Sequence, residues 1–421
     1  MSDAAIADAK VDPSPDRLVA IIVNYQSGWL AEACVTSLLY QWQREGRARE
    51  DLEVLVVENA SPTDQSAHMG RIEAAGVRVL RSEENLGYAR GMNWGYEHAS
   101  WPEDGKRQFV AMLNPDLVLL EDSIGNLLNF LIENPDVGLV TPRAHIDLAQ
   151  VVHLPRNTTP TPLDALRLNL AHRFAFAGRR YAARRLKRSI PWMESDEPID
   201  TIALSGCCMF VPRAVIQDLG YLMDPRYPLY FEDTDLFKTL KAKGLRTVHL
   251  PAACILHHWS RSAGVDHDFA GLPAQRHAIS QRLYFEKFHG KLGAWFMERM
   301  NALGARWAGR GVKAVSEIQE LESAEEPPRL TWDRERRVVI EIGLTPNWLI
   351  AAGVLTEGRS FQFPESSWEW LFQCIYYIRV VDRDSLETVG AWRVGKSTPA
   401  RERPVTLEEL TERTREASRV G

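Results

Sequence analysis

The sequence predicts an α/β protein: a Rossmann-like, mostly parallel sheet flanked by helices, followed by a small β-rich module. Three observations lead there. Short runs rich in Val, Ile and Leu alternate with helical patterns through the first third of the chain. An acidic segment ending in Glu325-Glu326-Pro327-Pro328 interrupts the chain late. Beyond it, aromatic and β-branched runs are separated by Asn, Asp, Gly and Pro. Continuous apolar runs of strand length suit parallel strands buried on both faces, and the later pattern suits an antiparallel sheet.

Residues 1–17 carry no basic start followed by an apolar stretch and are expected to be a disordered tail. Leu18 to Tyr25, Val54 to Glu58, Val77 to Leu80 and Phe109 to Leu113 are the first strands. Between the first two, Leu30, Cys34 and Leu38 recur every four residues, which makes an amphipathic helix and completes a strand-helix-strand unit. Such a sheet binds ligands beyond the carboxyl ends of its strands. Residues 161–190 hold eight Lys or Arg against the single acid Asp164, with Leu168, Leu170, Phe174, Phe176, Tyr181 and Leu186 interleaved. A helix of this kind could rest on an anionic membrane surface or present a solvated basic face.

The sheet resumes at Ile202 to Val211, then one helix opens with Pro212 and stops at Gly220. A second follows Glu232-Asp233 and stops at Gly244; strand-like runs come next at Thr247 to Leu250 and Ala253 to Leu256. Helical sequence to about residue 322 closes a first domain of residues 18–322, and an acidic linker spans 323–335. The β-rich module, 336–421, contains Arg337 to Ile342, Leu371 to Val381 and Thr388 to Val394, and ends with the capping box Thr406 to Glu409 before a short helix.

With 421 residues, 45% apolar and 25% charged, the composition is that of a globular protein. A net charge of −6 argues against nucleic acid as the main partner. Five cysteines without zinc-ligand spacing fit a reducing cytosol better than a disulfide scaffold. No apolar run approaches the ~20 residues of a membrane-spanning helix, so a soluble protein is expected.

Four motifs carry potential chemistry. Leu113-Asn114-Pro115-Asp116 ends a strand in a turn that presents one carboxylate, enough for a cation whose other positions are filled by diphosphate and water. Glu232, Asp233 and Asp235 crowd a helix start, where one cap needs one acid, and an Asp held there could accept a proton from a sugar hydroxyl. His257-His258-Trp259-Ser260-Arg261-Ser262 follows a strand, and either imidazole could complete a metal site. Asn85 to Gly95 is a glycine-punctuated helix start whose amides, with Arg90, suit a diphosphate. Gly390 to Ser397 satisfies the P-loop pattern, but Pro399 and Pro404 follow it where a helix is required, so ATP or GTP binding there is not expected.

In order, Val23-Asn24-Tyr25, Val56 to Ser61, Asn85 to Gly95, Leu113 to Asp116, Gly206 to Met209, Glu232 to Leu236 and His257 resemble glycosyltransferase family 2, especially its rhamnosyltransferase-like branch that builds bacterial surface polysaccharides. The resemblance covers about residues 17–295. It implies a GT-A fold, a nucleotide-diphosphate sugar donor (dTDP-rhamnose by branch), Mg2+ or Mn2+, and inversion at the anomeric carbon. It also implies that Glu58, where the family usually has Asp, contacts the nucleotide base. Asn24, Tyr25, Asn85, Gly87, Arg90, Asn93 and Asn114 complete the donor site with Asp116, which ends a metal-binding Asp-x-Asp whose first position is Asn114. Asp233 matches the general base, with Glu232 and Asp235 beside it, and His257 matches the metal-completing histidine. The expected acceptor is a lipid-linked or growing glycan at the inner face of the cytoplasmic membrane. The competing reading is an inactive nucleotide-sugar or glycan-binding protein of a synthesis complex. In the C-terminal module, Trp368, Trp370, Tyr376 and Tyr377 could bind glycan or form core and cross-strand pairs.

Overall fold

The computed structural model describes residues 16–258, 272–308, 314–401 and 403–420. The first half runs β1 (Asp16–Asn24), α1 (Gly28–Arg44), β2 (Leu52–Glu58), α2 (Ser66–Ala74), β3 (Arg78–Arg81), α3 (Tyr88–Glu97), β4 (Arg107–Leu113), β5 (Leu117–Leu119), α4 (Ser123–Glu133) and β6 (Val137–His145). Helices α5 (Pro162–Arg173) and α6 (Ala175–Glu194) intervene before β7 (Ile199–Asp200), β8 (Cys208–Pro212), α7 (Arg213–Leu219), α8 (Glu232–Ala242), β9 (Arg246–His257) and α9 (Leu272–Ala308). These strands form one sheet in the order β3-β2-β1-β4-β8-β6-β9-β5, with β7 on β9. The sheet is mostly parallel, and β5, β7 and β8 run against the rest.

Its apolar runs are buried on both faces because alternate residues serve two cores. Leu18, Ala20 and Ile22 of β1 meet Cys34, Leu38 and Trp42 of α1, whereas Val19, Ile21 and Val23 meet Met92 of α3. Strand β1 starts at Asp16, inside the segment expected as a tail: Asp16 pairs with Arg107 at 2.6 Å and Arg17 with Glu53 at 3.2 Å. Residues 1–15 lie outside the described residues. Gly220 and Gly244 end α7 and α8 in the left-handed region, with φ of 79° and 82°, where glycine is unstrained.

A second, five-stranded sheet comprises β10 (Gln319–Glu320), β11 (Arg329–Gly343), β12 (Ala352–Gln362), β13 (Ile375–Asp382) and β14 (Thr388–Gly395) in the order β10-β14-β13-β11-β12. Helix α10 (Glu365–Trp368) precedes β13, and α11 (Leu407–Val420) follows β14. The sheet begins at Gln319, before the acidic segment, and β11 starts inside that segment. Strand β12, which the sequence pattern did not reveal, pairs with β11 across a register shift. The expected capping box forms: Thr406 N donates to Glu409 Oε2 at 2.8 Å and Glu409 N to Thr406 Oγ1 at 3.2 Å. The P-loop-like segment is strand β14, and Lys396 Nζ donates to Thr398 O and Pro399 O at 2.7 and 3.0 Å, a structural tie.

The two sheets share a core. Val118 and Leu120, at the β5 end, and Leu256 of β9 pack with Val338 and Ile340 of β11, Trp368, Trp370, Tyr376 and Ile378. Trp368, Trp370 and Tyr376 are buried there, so they are core residues and do not face a glycan. The basic stretch also joins this seam. Leu186 and Met193 of α6 pack on Val339 and Val381, and the Arg185 guanidinium meets Glu341, which also pairs with Arg379 at 2.5 Å. Burial, and then Arg379, pushes Arg185 down to about 9.

Candidate active site

The carboxyl ends of β1, β2 and β4 lie side by side, since Asn24 registers with Glu58 and Ile22 with Leu113. Asn24 is fully buried; its Nδ2 donates to Glu58 Oε2, and its Oδ1 accepts from Ser27 N and Oγ at 3.2 and 2.9 Å. Glu58 Oε1 accepts from Ser61 N at 2.9 Å. The longer Glu arm is thus folded back and fixed at both oxygens. Tyr25 follows Asn24, half-buried at the same edge.

Asn59, absent from the expected donor residues, links this edge to the start of α3. Its N donates to Asn24 O at 2.9 Å, its Oδ1 accepts from Leu86 N at 2.8 Å, and its Nδ2 faces Asn85 Oδ1 at 3.3 Å. Asn85 Oδ1 in turn accepts from Gly87 N at 2.9 Å. Gly87 needs to be glycine twice over: φ is 77°, and a Cβ would stand 2.8 Å from Pro228 O. Arg90, one turn into α3, is exposed and forms no ion pair with a described residue. Asn93 is elsewhere. Its Oδ1 accepts from Leu222 N at 2.8 Å and its Nδ2 donates to Met223 O at 2.7 Å, so it ties α3 to the loop after α7 and does not face a donor.

Asp116 is fully buried in the turn between β4 and β5. The antiparallel pairing of Leu117 with His257 brings the end of β9 alongside, and His257 Nε2 lies 3.3 Å from Asp116 Oδ1. His258 points the other way: its N donates to Asp116 O at 2.9 Å, and its ring stacks on Trp370 at 4.2 Å. The alternation of a strand therefore selects His257 as the imidazole beside the carboxylate. Trp259, Ser260, Arg261 and Ser262 of this motif lie outside the described residues. Burial opposes protonation of His257, but Cys207 and Asp116 outweigh it and hold the imidazole well above its ordinary value. Asn114 N donates to Cys207 O at 2.8 Å, so Cys207 touches both halves of this turn.

The acidic helix start approaches from the opposite side. Tyr230 and Phe231 both have left-handed backbones, φ 64° and 67°, an arrangement costly for bulky residues and held here by the surrounding packing. It throws Glu232 and Asp233 inward. Asp233 Oδ1 accepts from Thr234 N and Oγ1 at 2.6 and 3.1 Å, and Gly206 leaves room for it. Burial raises Asp233, while the amides of Thr234 and Gly206 favour its ionised form. Glu232 is more deeply buried, its Oε2 has no hydrogen-bond partner among the described residues, and burial plus the Asp233 charge push it up. Burial therefore raises both carboxyls, and of the two only Asp233 has the amides of Thr234 and Gly206 to favour its charged form. Tyr88 lies near both clusters. Its buried hydroxyl, without a hydrogen-bond partner among the described residues, feels Glu232, Cys207, Asp233 and Asp116, which with burial raise the phenol well above its ordinary value.

Asp235 does not join this group. It accepts from Tyr227 Oη at 2.9 Å and pairs with Lys287 of α9 at 2.7 Å, facing away from Asp233 because residues two apart on a helix project to different sides. The expected catalytic role for Asp235 is replaced by a buried ion pair. Among the described residues, no group of three or more His, Cys, Asp or Glu is arranged to hold a metal. The Asp116 and His257 pair nonetheless fits a cation completed by ligand oxygens: the hard carboxylate suits Mn2+ or Mg2+, and an imidazole beside it favours Mn2+, since Mg2+ prefers oxygen ligands throughout.

Residues 13–187 match the family model described as glycosyl transferase family 2. Over these residues the chain is similar to that family. The match spans Asn24, Glu58, Asn59, Asn85 and Asp116, and stops before Gly206, Asp233 and His257. An N-acetylglucosaminyl-diphospho-decaprenol L-rhamnosyltransferase of Mycobacterium tuberculosis (strain ATCC 25618 / H37Rv) is 26% identical over 309 residues, which cover 71% of this chain and 91% of that protein. The low-salt glycan biosynthesis hexosyltransferase Agl10 of Haloferax volcanii is 25% identical over 221 residues, 52% of this chain and 60% of the relative. Among solved structures, a mannosyltransferase from Pyrobaculum calidifontis in complex with GDP-Man and Mn2+ superposes with a TM-score of 0.42 at 17% identity, covering 72% of this chain and 78% of that one. Within and beyond the matched residues, the network of Asn24, Glu58 and Asn59 sits at the ends of β1 and β2, and Tyr88 feels Glu232, Asp233 and Asp116 alike.

Proposed function

We propose that this protein is an inverting glycosyltransferase that moves a sugar from a nucleotide-diphosphate donor to a lipid-linked or growing glycan. The relative named for rhamnosyl transfer to a decaprenol-linked sugar favours rhamnose as the sugar and a lipid diphosphate acceptor. The carrying observation is Asp233, pinned on Gly206 and close, with the Asp116 and His257 pair, to the Tyr88 hydroxyl.

In this reading Asn24 and Glu58 hold the nucleoside, and Arg90 with the first amides of α3 holds the diphosphate. Asp233 accepts the proton of the acceptor hydroxyl as that oxygen attacks the anomeric carbon from the face opposite the leaving diphosphate. Glu232, pushed up by burial and by the Asp233 charge, leaves Asp233 with its Thr234 and Gly206 amides as the better proton acceptor of the two. Asp116 and His257 would hold the divalent cation, which when bound neutralises charge building on the departing diphosphate.

The test is transfer from a panel of nucleotide sugars to a prenyl-diphosphate-linked acceptor, with Mn2+ or Mg2+ present and chelated, and the anomeric configuration of product read by NMR. Metal-dependent transfer with inversion is expected. Asp233→Asn should bind donor and lose about 10² to 10⁴ in rate. Donor binding with neither transfer nor hydrolysis would instead mark a binding protein.

A further inference from the structure

We propose that α5, α6 and the second half of α9 form a surface that docks on an anionic lipid bilayer. The helices are tied together. Asn169 Nδ2 of α5 donates to Met300 O of α9 at 2.8 Å, Pro162 packs against Gly293, and only Phe174 separates α5 from α6. Large apolar side chains stand in water along this assembly: Phe176 is 62% exposed, Leu292 76% and Trp295 51%, with Leu163 and Phe174 also exposed. Leu292, Trp295 and Arg299 fall on one stripe of α9, with the Arg299 guanidinium 5.5 Å from the Trp295 ring.

The charge beside these side chains identifies the partner. Gly178, Ala182, Leu186, Ser189 and Met193 form the buried face of α6, so its outward face presents Phe176, Arg180, Arg184, Lys187 and Arg188. None of those four cations forms an ion pair with a described residue, whereas Glu194 is taken up by Arg383 and Glu298 by Arg282. Exposed aromatics and leucines among unpaired cations suit the boundary of headgroups and acyl chains in an anionic leaflet. No described helix is long and apolar enough to cross a membrane, so the contact is a surface one. The patch also adjoins the site, because Tyr284 and Phe285 of α9 pack with Tyr227, Phe231 and Ala165 of α5. A lipid-borne acceptor would thus be met where its carrier is anchored. Docking requires neither donor nor turnover, so its failure is distinct from failure of the transferase reading.

The experiment is cosedimentation of the full chain with vesicles of phosphatidylcholine alone and of phosphatidylcholine mixed with phosphatidylglycerol. Binding is expected only to the anionic vesicles, weakening as salt rises. The double variants F176D/W295D and R180E/R184E should each weaken it at least tenfold. Both should keep the wild-type melting temperature and wild-type transfer to a water-soluble acceptor. No binding to anionic vesicles at low salt, or binding unchanged in both variants, would overturn the proposal. So would a dimer that F176D/W295D dissociates without any vesicle binding, since the face would then belong to a second copy.

Discussion

Asp233 rests on the bare α-carbon of Gly206: a Cβ there would stand 2.5 Å from the Asp233 Cβ and 2.7 Å from its Oδ2. The next residue, Cys207, lies beside His257 and accepts the amide of Asn114. Two consecutive residues therefore join the proposed base to the proposed metal site.

Gly206→Ala should push Asp233 aside. A displacement near 1 Å at a reacting group can cost about 10²-fold. We expect kcat to fall by about that much while the dissociation constant for donor, measured by calorimetry, stays within a few-fold of wild type. Equal loss of both would place the damage in the fold.

Asp233 and Asp235 should separate cleanly. Asp235→Ala leaves Lys287 and Tyr227 facing a buried gap, and removing one member of a buried ion pair costs about 3 to 5 kcal/mol. Its melting temperature should drop sharply, whereas Asp233→Asn should melt near wild type and be inactive.

Trp370 is sandwiched between the His258 ring at 4.2 Å and the Arg401 guanidinium at 4.5 Å, and Arg401 is itself held by Glu369 and Glu409 at 2.9 and 2.7 Å. Removing a buried Trp side chain costs about 3 to 5 kcal/mol. Trp370→Ala should therefore melt lower, and the freed His258 should loosen the turn at Asp116, which raises the Mn2+ concentration needed for half-maximal transfer. Trp370→Phe keeps a ring in place and should recover most of the metal affinity.

Acid should weaken the seam between the sheets. His145 and His249 are buried there and His153 is half-buried: His153 exchanges backbone hydrogen bonds with Gly353 at 2.8 and 3.0 Å, and His249 stacks on Trp192 at 3.6 Å. Burial, helped by the Arg143 charge, pushes His153 down to about 4 and His249 to about 3, and burial with His153 and Arg143 lowers His145. An unfolded chain binds these protons from about pH 6.5 downward while the folded one refuses them, so stability is present above that value and lost as pH falls toward 4. The melting temperature should decline through this window, and His153→Gln should flatten the decline.

The strands, the stop glycines and the capping box were legible because each rests on local chemistry: Leu18 to Val23 is apolar throughout, and Gly220 and Gly244 follow their helices. The choice between His257 and His258 needed strand pairing, and the divergence of Asp233 from Asp235 needed the helix phase set by Tyr230 and Phe231. Asn93 sits in a motif that points to donor, yet its amide is spent on the backbone of Leu222 and Met223, a long-range contact that no spacing encodes. Arg185 reads as one more surface cation until Glu341, far along the chain, is seen against it.

Strand β5 ends the first sheet, and Leu117 to Leu119 is wholly apolar. A bare hydrophobic border of that kind invites other chains to pair with it. The C-terminal sheet packs over Val118, Leu120 and Leu256 and keeps the apolar face beside that border out of water, so a chain cut before Gln319 should self-associate rather than stay dispersed.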